Sequence, residues 1–236
     1  MRVLIGVLTC HKLDYYVNEL TQDYLSIRGW RSTDQQKRVN TMRETWLKDL
    51  PVDYKFFYGN KLRPPEARKG QTPITLREPL ADEVYLNCGD NYTSNPAKMK
   101  EMCKYAGNEG YDYLIRVDDD TFVYPNHLLL ENWLGHDYSG SGRENFHPGG
   151  CMVLSRRAMG FIIDASITNW ADDVWIGSVM QKHRVPMNFL PSIHNEFGEG
   201  YRVNPDTVKP GRSALHSCTP EVMRVLYERN EHNSVS

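Results

Sequence analysis

The sequence predicts an α/β domain organised on an open sheet with a central parallel strand. Three observations lead there. Val3-Leu-Ile-Gly-Val-Leu8 is an unbroken apolar run, the pattern of a parallel strand buried on both faces. Tyr113-Leu-Ile-Arg-Val117 is a second run of strand length, and it stops abruptly at Asp118-Asp119-Asp120. Helix-start signals recur between and after these runs, and no repeat or clean linker divides the 236 residues. A chain of this length buries a substantial core without staples.

Bulk properties narrow the class. The formal net charge is −2, which gives no strong pull toward nucleic acid or a membrane surface. The five cysteines, Cys10, Cys88, Cys103, Cys151 and Cys218, are scattered with no Cys-x-x-Cys. That spacing argues against a disulfide framework and a structural zinc, and fits a reducing compartment. Met1-Arg2 leads directly into the first strand, and the run is too short for a signal segment or a membrane span. A soluble, cytoplasmic protein is therefore expected.

The elements follow in order. After the first strand comes a polar stretch, Asp14–Ser32, without a clear periodicity. Thr33-Asp34 offers an N-cap for a helix to about Leu47, with Trp46 and Leu47 inward and Arg38 and Arg43 as basic positions. Those arginines fit a diphosphate or a plain solvated face. Tyr54–Tyr58 reads as a strand closed by Gly59-Asn60. Lys61–Pro73 reads as a surface loop, basic and rich in Pro and Gly. Asp82–Leu86 is a short strand or turn, and Asn87–Asn95 a polar loop holding the formal sequon Asn91-Tyr92-Thr93. Asn95-Pro96 opens a helix to about Tyr105.

Beyond the triple Asp, Pro125-Asn126 starts a helix to about Trp133, and His136–His147 is polar and Gly-rich enough to be a loop. Gly149-Gly150 precedes the strand that ends near Ser155, and such a pair lets backbone approach a ligand or another chain closely. Arg157–Ala165 is helical. Asp172-Asp173 stands at the start of a helix carrying Ile176, Val179 and Met180. One Asp there is explained by capping; two leave one for other work. Val185–Pro191 is extended and Phe197–Lys209 loop-rich. Thr219-Pro220 gives cap and first position of a last helix, with Val222, Met223, Leu226 and Tyr227 inward and His216 just before it.

The chemistry centres on the acids. Side chains alternate along an extended chain, so Asp118 and Asp120 face one way and Asp119 the other. Paired carboxylates at the C-terminal end of a strand make a hard oxygen site, suited to a divalent cation that also takes phosphate oxygens. An Asp cluster at a plain turn has the same spacing.

Six segments, in order, resemble the β-1,3-glycosyltransferase family that includes Fringe, core 1 galactosyltransferase and the β-1,3-N-acetylglucosaminyltransferases. They are Arg38-Val-Asn-Thr-Met-Arg43-Glu-Thr-Trp46, Asp90-Asn-Tyr92 with Lys98, Tyr113 to Val123, Gly149-Gly150 through Ser155, Asp172-Asp173-Val174 with Gly177, and His216 through Arg224. The resemblance implies a GT-A fold, with a Rossmann-like, mostly parallel sheet flanked by helices, as one catalytic domain over 1–236. Residues 1–123 would be its nucleotide-binding half and 124–236 its acceptor-binding half.

The resemblance further implies a UDP-sugar donor, hexosyl or N-acetylhexosaminyl, a Mn²⁺ or Mg²⁺ cofactor and inversion at the anomeric carbon. It makes Asp118, Asp120 and His216 the metal set. Thr9, Arg38, Arg43, Lys98, Arg116, Asp118, Asp119, Gly149 and Gly150 become donor-binding candidates. Asp173 is the implied base, with Asp172 as the second candidate. This chain shows no anchor, stem or disulfide set of the animal enzymes, so a bacterial, phage or large-virus setting is expected. The acceptor classes are a glycan, a lipid-linked sugar, a protein or a modified nucleobase.

Two other classes share part of the pattern. A sugar nucleotidyltransferase also pairs Asp residues around a divalent ion, but would release pyrophosphate and carry a Gly-rich, Lys-bearing loop near its N-terminus. A non-catalytic sugar-binding module that depends on a divalent cation would bind without turnover, and calcium asks for more oxygen ligands than these motifs supply.

Overall fold

The computed structural model describes residues 1–10, 34–48, 50–61, 78–90, 92–142, 144–194 and 203–234. The polar stretch Asp14–Ser32, the Thr33 cap, the loop from residue 62 to Pro73, Asn91 of the sequon and residues 197–202 lie outside them.

The strands are β1 (Val3–Leu8), β2 (Asp53–Lys61), β3 (Glu83–Gly89), β4 (Tyr113–Asp118), β5 (Phe122–Val123), β6 (Tyr138–Gly140), β7 (Cys151–Ser155), β8 (Met187–Phe189), β9 (Ile193–His194) and β10 (Ala214–Leu215). The helices are α1 (Asp34–Glu44), α2 (Asn95–Asn108), α3 (Pro125–Leu128), α4 (Arg156–Asp164), α5 (Asp172–Lys182) and α6 (Pro220–Ser234). Seven strands form one sheet in the order β3-β2-β1-β4-β7-β6-β8. β1 is parallel to β2 and β4, β2 to β3, and β6 to β8, whereas β7 is antiparallel to both of its neighbours. The expected mixed α/β architecture, a mostly parallel sheet flanked by helices, is the one found.

The core explains the first strand. All six residues of β1 are buried. Val3, Ile5 and Val7 pack on one face with Val39 and Met42 of α1 and Met223 and Leu226 of α6. Leu4 and Leu8 pack on the other with Met99 and Met102 of α2, Met159 of α4 and Ile176 of α5. Apolar residues at every position are what a strand between two helical layers requires.

Two connections build an edge at the C-terminal end of β4. Because β7 runs antiparallel to β4, with Val117 opposite Cys151, Gly149 and Gly150 lie where the three carboxylates begin. A smaller sheet, β5-β10-β9, pairs Leu215 with Phe122 and so delivers His216 to the same turn. Thr219 caps α6 as expected, its Oγ1 accepting from Val222 N–H at 3.3 Å.

Several boundaries differ from the sequence reading. The helix starting at Pro125 stops at Leu128, where the Trp133 indole N–H donates to the Leu128 carbonyl at 2.7 Å, so a side chain takes a bond that a longer helix would use. The His136–His147 segment contains β6, a buried strand written Tyr-Ser-Gly and too short to show alternation. β3 continues to Gly89 and takes in the start of the expected Asn87–Asn95 loop. α1 ends at Glu44, but Trp46 and Leu47 are buried in the turn that follows. The five cysteines are free thiols. Among the described residues no helix is long and apolar enough to cross a membrane.

Candidate active site at the carboxylate edge

Asp118 and Asp120 converge, but β4 ends at Asp118 and it is the turn after it, not strand alternation, that brings Asp120 round. His216 Nε2 lies 3.1 Å from Asp120 Oδ1 and 3.5 Å from Asp118 Oδ2. One ligand atom from each of the three residues falls within 4.8 Å of the others. Two carboxylate oxygens and an imidazole nitrogen on one side of a turn form a donor set that could hold a divalent cation, with further positions left for water or phosphate. The turn is pinned from both flanks. Cys218 N–H donates to the Asp120 carbonyl at 2.8 Å, and Thr121 Oγ1 donates to the Gly150 carbonyl at 2.8 Å.

Asp119 points to the β1 side. Its Oδ2 accepts from Thr9 Oγ1 at 2.7 Å, and Arg38 Nη1 is 3.4 Å from its Oδ1. Burial raises the Asp119 carboxyl pKa above its ordinary value, with the Arg38 charge opposing. Thr9, Arg38 and Asp119 thus form one group. Lys98 lies beneath it, completely buried, 2.7 Å from the Thr9 carbonyl and 2.9 Å from Asp90 Oδ1. It holds the end of β1 from below. Burial pulls its pKa down, but Asp90 together with the neighbouring Cys10 and Cys88 makes the net shift upward.

Arg43 is not part of this group. Its guanidinium donates to both Asp82 oxygens, at 2.7 and 3.0 Å, and to Glu83 Oε1 at 2.8 Å, and lies over the Phe56 ring. Helical geometry accounts for the separation: about 100° per residue turns Arg43 about 140° away from Arg38.

The second acidic pair meets the first through Arg116. This side chain is 1% exposed, and its Nη2 is 2.7 Å from Asp118 Oδ1 and 3.0 Å from Asp172 Oδ2. Its Nε and Nη1 have no hydrogen-bond partner among the described residues. Gly149 closes over it: a Cβ at that position would stand 2.8 Å from Nη1. Asp172 and Asp173 occupy the first turn of α5, and Ala171, not an Asp, is its N-cap. Neither Asp is therefore the N-cap, although Asp173 Oδ1 accepts the first-turn N–H of Val174 at 2.8 Å. Gly177 sets the depth of this helix, because a Cβ there would come within 2.5 Å of the Asn145 carbonyl on the loop that leads to Gly149.

Burial dominates the electrostatics. It raises the Asp118 pKa to about 6, with Asp120 and Asp172 adding to the rise and Arg116 and His216 opposing it. It also raises Asp173, helped by Asp172, while the backbone N–H groups of Val174 and Gly149 pull the other way.

Tyr138 and His147 were not singled out by sequence reasoning. Tyr138 is fully buried, and its hydroxyl accepts from His147 N–H at 2.8 Å. His147 Nδ1 accepts from Gly142 N–H at 2.9 Å, and burial lowers its pKa to about 4, so the ring is neutral at pH 7. The pair braces the loop that ends at Gly149. A Tyr and a His inside a polar, Gly-rich stretch gave no periodic signal.

No protein-family model matches the chain, and no curated protein is significantly similar to it. Solved structures are similar to it at low identity. An inferred nucleotide-diphospho-sugar transferase from Desulfovibrio desulfuricans G20 is 14% identical over 80% of each chain, with a TM-score of 0.49. The catalytic domain of Drosophila β1,4-galactosyltransferase 7, in a complex with xylobiose, is 11% identical over 90% of this chain and 75% of that one, with a TM-score of 0.41. A glycosyltransferase involved in glycosylation of the major capsid of PBCV-1 is 12% identical over 94% of this chain and 99% of that one, with a TM-score of 0.40. At these identities and scores the likenesses assign no substrate or reaction to this chain.

Proposed function

We propose that this chain is an inverting, metal-dependent glycosyltransferase that moves a sugar from a UDP-sugar to an acceptor hydroxyl. One observation carries the reading. The Asp118–Asp120–His216 cluster at the C-terminal edge of β4 is joined through Arg116 to the start of α5, which holds a second, separate carboxylate pair. A cation site alone fits a binding module; a cation site beside an independent, partly buried carboxylate fits a displacement with a general base.

The residues divide the work. Asp118 Oδ2, Asp120 and His216 would hold Mn²⁺ or Mg²⁺, whose role when bound is to offset charge on the leaving diphosphate. Asp173 is the base. Asp172 is committed to Arg116, whereas Asp173 makes a 2.8 Å bond to its neighbour Val174 N–H and is raised by burial toward the working range of a base. It takes the acceptor hydroxyl proton as the new O–C bond forms at the anomeric carbon and the bond to the diphosphate oxygen breaks from the opposite face. Arg38, Thr9 and Asp119 form the donor side, Lys98 supports them, and Gly149 and Gly150 line the sugar. Arg43, by its ion pairs, serves the fold instead.

The resemblance to β-1,3-glycosyltransferases supports a hexosyl or N-acetylhexosaminyl donor. Under this reading residues 1–123 carry the nucleotide and 124–236 the acceptor, and both contribute strands to the seven-stranded sheet. The acceptor is a glycan, a lipid-linked sugar, a protein or a modified nucleobase, and the setting is cytoplasmic.

The test is UDP release from a panel of UDP-sugars with Mn²⁺ and with EDTA, followed by calorimetry of UDP. We expect one donor to release UDP only with metal, and UDP to bind only with Mn²⁺. UDP that fails to bind in the presence of Mn²⁺ would sink the proposal.

A further inference from the structure

Arg116 touches both acidic features with one nitrogen. Arg116 and Asp118 are two residues apart on β4 and share a face. Both hydrogens of Nη2 have acceptors, Asp118 Oδ1 at 2.7 Å and Asp172 Oδ2 at 3.0 Å. Two consequences follow. Asp118 Oδ1 is engaged by Arg116, and Oδ2, which faces His216, is its freer oxygen toward a cation. A buried positive charge also stands directly behind a candidate cation ligand, where it opposes binding of any metal. Besides Asp118 itself, the carboxylate bonded to it is Asp172, which is 7% exposed and lies outside the Asp118–Asp120–His216 set, with Asp173 acting from farther away. The guanidinium is held in place by these two bonds and by its burial at 1% exposure.

We propose that Asp172 is a positioning residue which, by neutralising Arg116, keeps Asp118 available to a divalent cation, so that the start of the α5 helix and the metal site are coupled through a single guanidinium nitrogen. This rests on the proposed function only in taking Asp118, Asp120 and His216 as the metal site. It gives the two adjacent carboxylates separate tasks. Asp173 serves the acceptor, and Asp172 serves the metal site without touching the ion.

The test is titration of the full chain with Mn²⁺ alone, by calorimetry or the electron paramagnetic resonance signal of free Mn²⁺. Circular dichroism first confirms that each variant folds. Asp172→Asn should weaken Mn²⁺ binding about tenfold, and Asp172→Glu, which restores the charge, should stay within about threefold of the parent. In an Arg116→Gln background the Asn substitution should lose its effect, and in an Arg116→Lys background it should keep it. Equal Mn²⁺ affinity in Asp172→Asn and the parent would overturn the inference while leaving the metal site intact. An equal loss in the Asn and Glu variants, or the same loss with Gln at 116, would reduce Asp172 to a structural role. If Arg116→Gln does not fold, the Asn–Glu comparison still decides. No Mn²⁺ binding by the parent would overturn the metal reading and this inference together.

Discussion

Lys98 and Arg116 are each 1% exposed, and each stands beside carboxylates at the same edge of the main sheet. Their bonding differs. The ammonium of Lys98 has three acceptors for its three hydrogens: Asp90 Oδ1 at 2.9 Å, the Thr9 carbonyl at 2.7 Å and the Asp90 carbonyl at 3.4 Å. Asp90 also accepts from Gly59 N–H at 2.7 Å, so the cluster ties the ends of β1 and β2 to α2. Arg116 concentrates its bonds on Nη2 and leaves Nε and Nη1 without partners among the described residues. A buried polar cluster with every hydrogen matched is a finished structural joint. One with unmatched donors retains a cost that the fold alone does not explain, and such costs gather at functional sites.

The largest expected effect lies beyond the Arg116 bridge. Asp173→Asn should lower transfer by about 10²–10⁴-fold, the usual worth of a general base, while Mn²⁺ binding persists. Burial raises the Asp173 pKa, and a base works only when ionised. The pH profile of kcat/KM in the parent should therefore rise with pH through a limb above the ordinary carboxylate range. That limb should be missing from whatever activity Asp173→Asn retains. A profile already flat at pH 4 would remove Asp173 from the role.

Next comes the matched joint. Lys98→Met leaves Asp90 buried without its cation, and breaking one partner of such a pair costs about 3–5 kcal/mol. Urea unfolding measures it. The loss should appear in the folding midpoint, with a smaller change in Mn²⁺ affinity than Asp172→Asn produces. A stable Lys98→Met protein would erase the contrast between the two cations.

Gly149→Ala sharpens the other side. Its methyl would press on Arg116 Nη1 from 2.8 Å, and the guanidinium, held at Nη2, has little freedom to yield. Overpacking of this kind costs about 1–3 kcal/mol. Here it should be felt as slower transfer and weaker Mn²⁺ binding together, since both ends of the bridge move. A change in stability alone would mean that the bridge tolerates displacement.

Much of this was legible before any coordinates. The apolar run of β1 required two helical layers, Asp118 and Asp120 share a side apart from Asp119 as the sequence suggested, although a turn rather than a strand arranges them, and Thr219-Pro220 marked the start of α6. What stayed hidden depends on contacts distant in sequence. Asp112, Arg116 and Asp137 look alike as isolated charges near apolar neighbours, but only Arg116 faces Asp172, 56 residues away. β6 has three residues and no period to detect, and it is held by pairing with β7 and β8. The stop at Leu128 depends on where the Trp133 indole folds back, which helix propensity does not encode.

Arg43 gives the smallest and most local test. Sequence spacing offered it as a partner of Arg38 at a diphosphate, yet its guanidinium is spent on Asp82 and Glu83 with Phe56 beneath. Its side chain is 20% exposed, so water softens the loss of these bonds, and Arg43→Ala should cost about 1–2 kcal/mol. The shift should appear in the urea midpoint. Asp82→Asn should remove part of the same increment, because the two side chains share two hydrogen bonds and their effects are not additive. UDP affinity should move less than in Arg38→Ala, whose Nη1 meets Asp119 beside Thr9. If Arg43→Ala instead weakened UDP binding about tenfold with the folding midpoint unchanged, the two arginines would act together at the donor despite lying on different faces of α1.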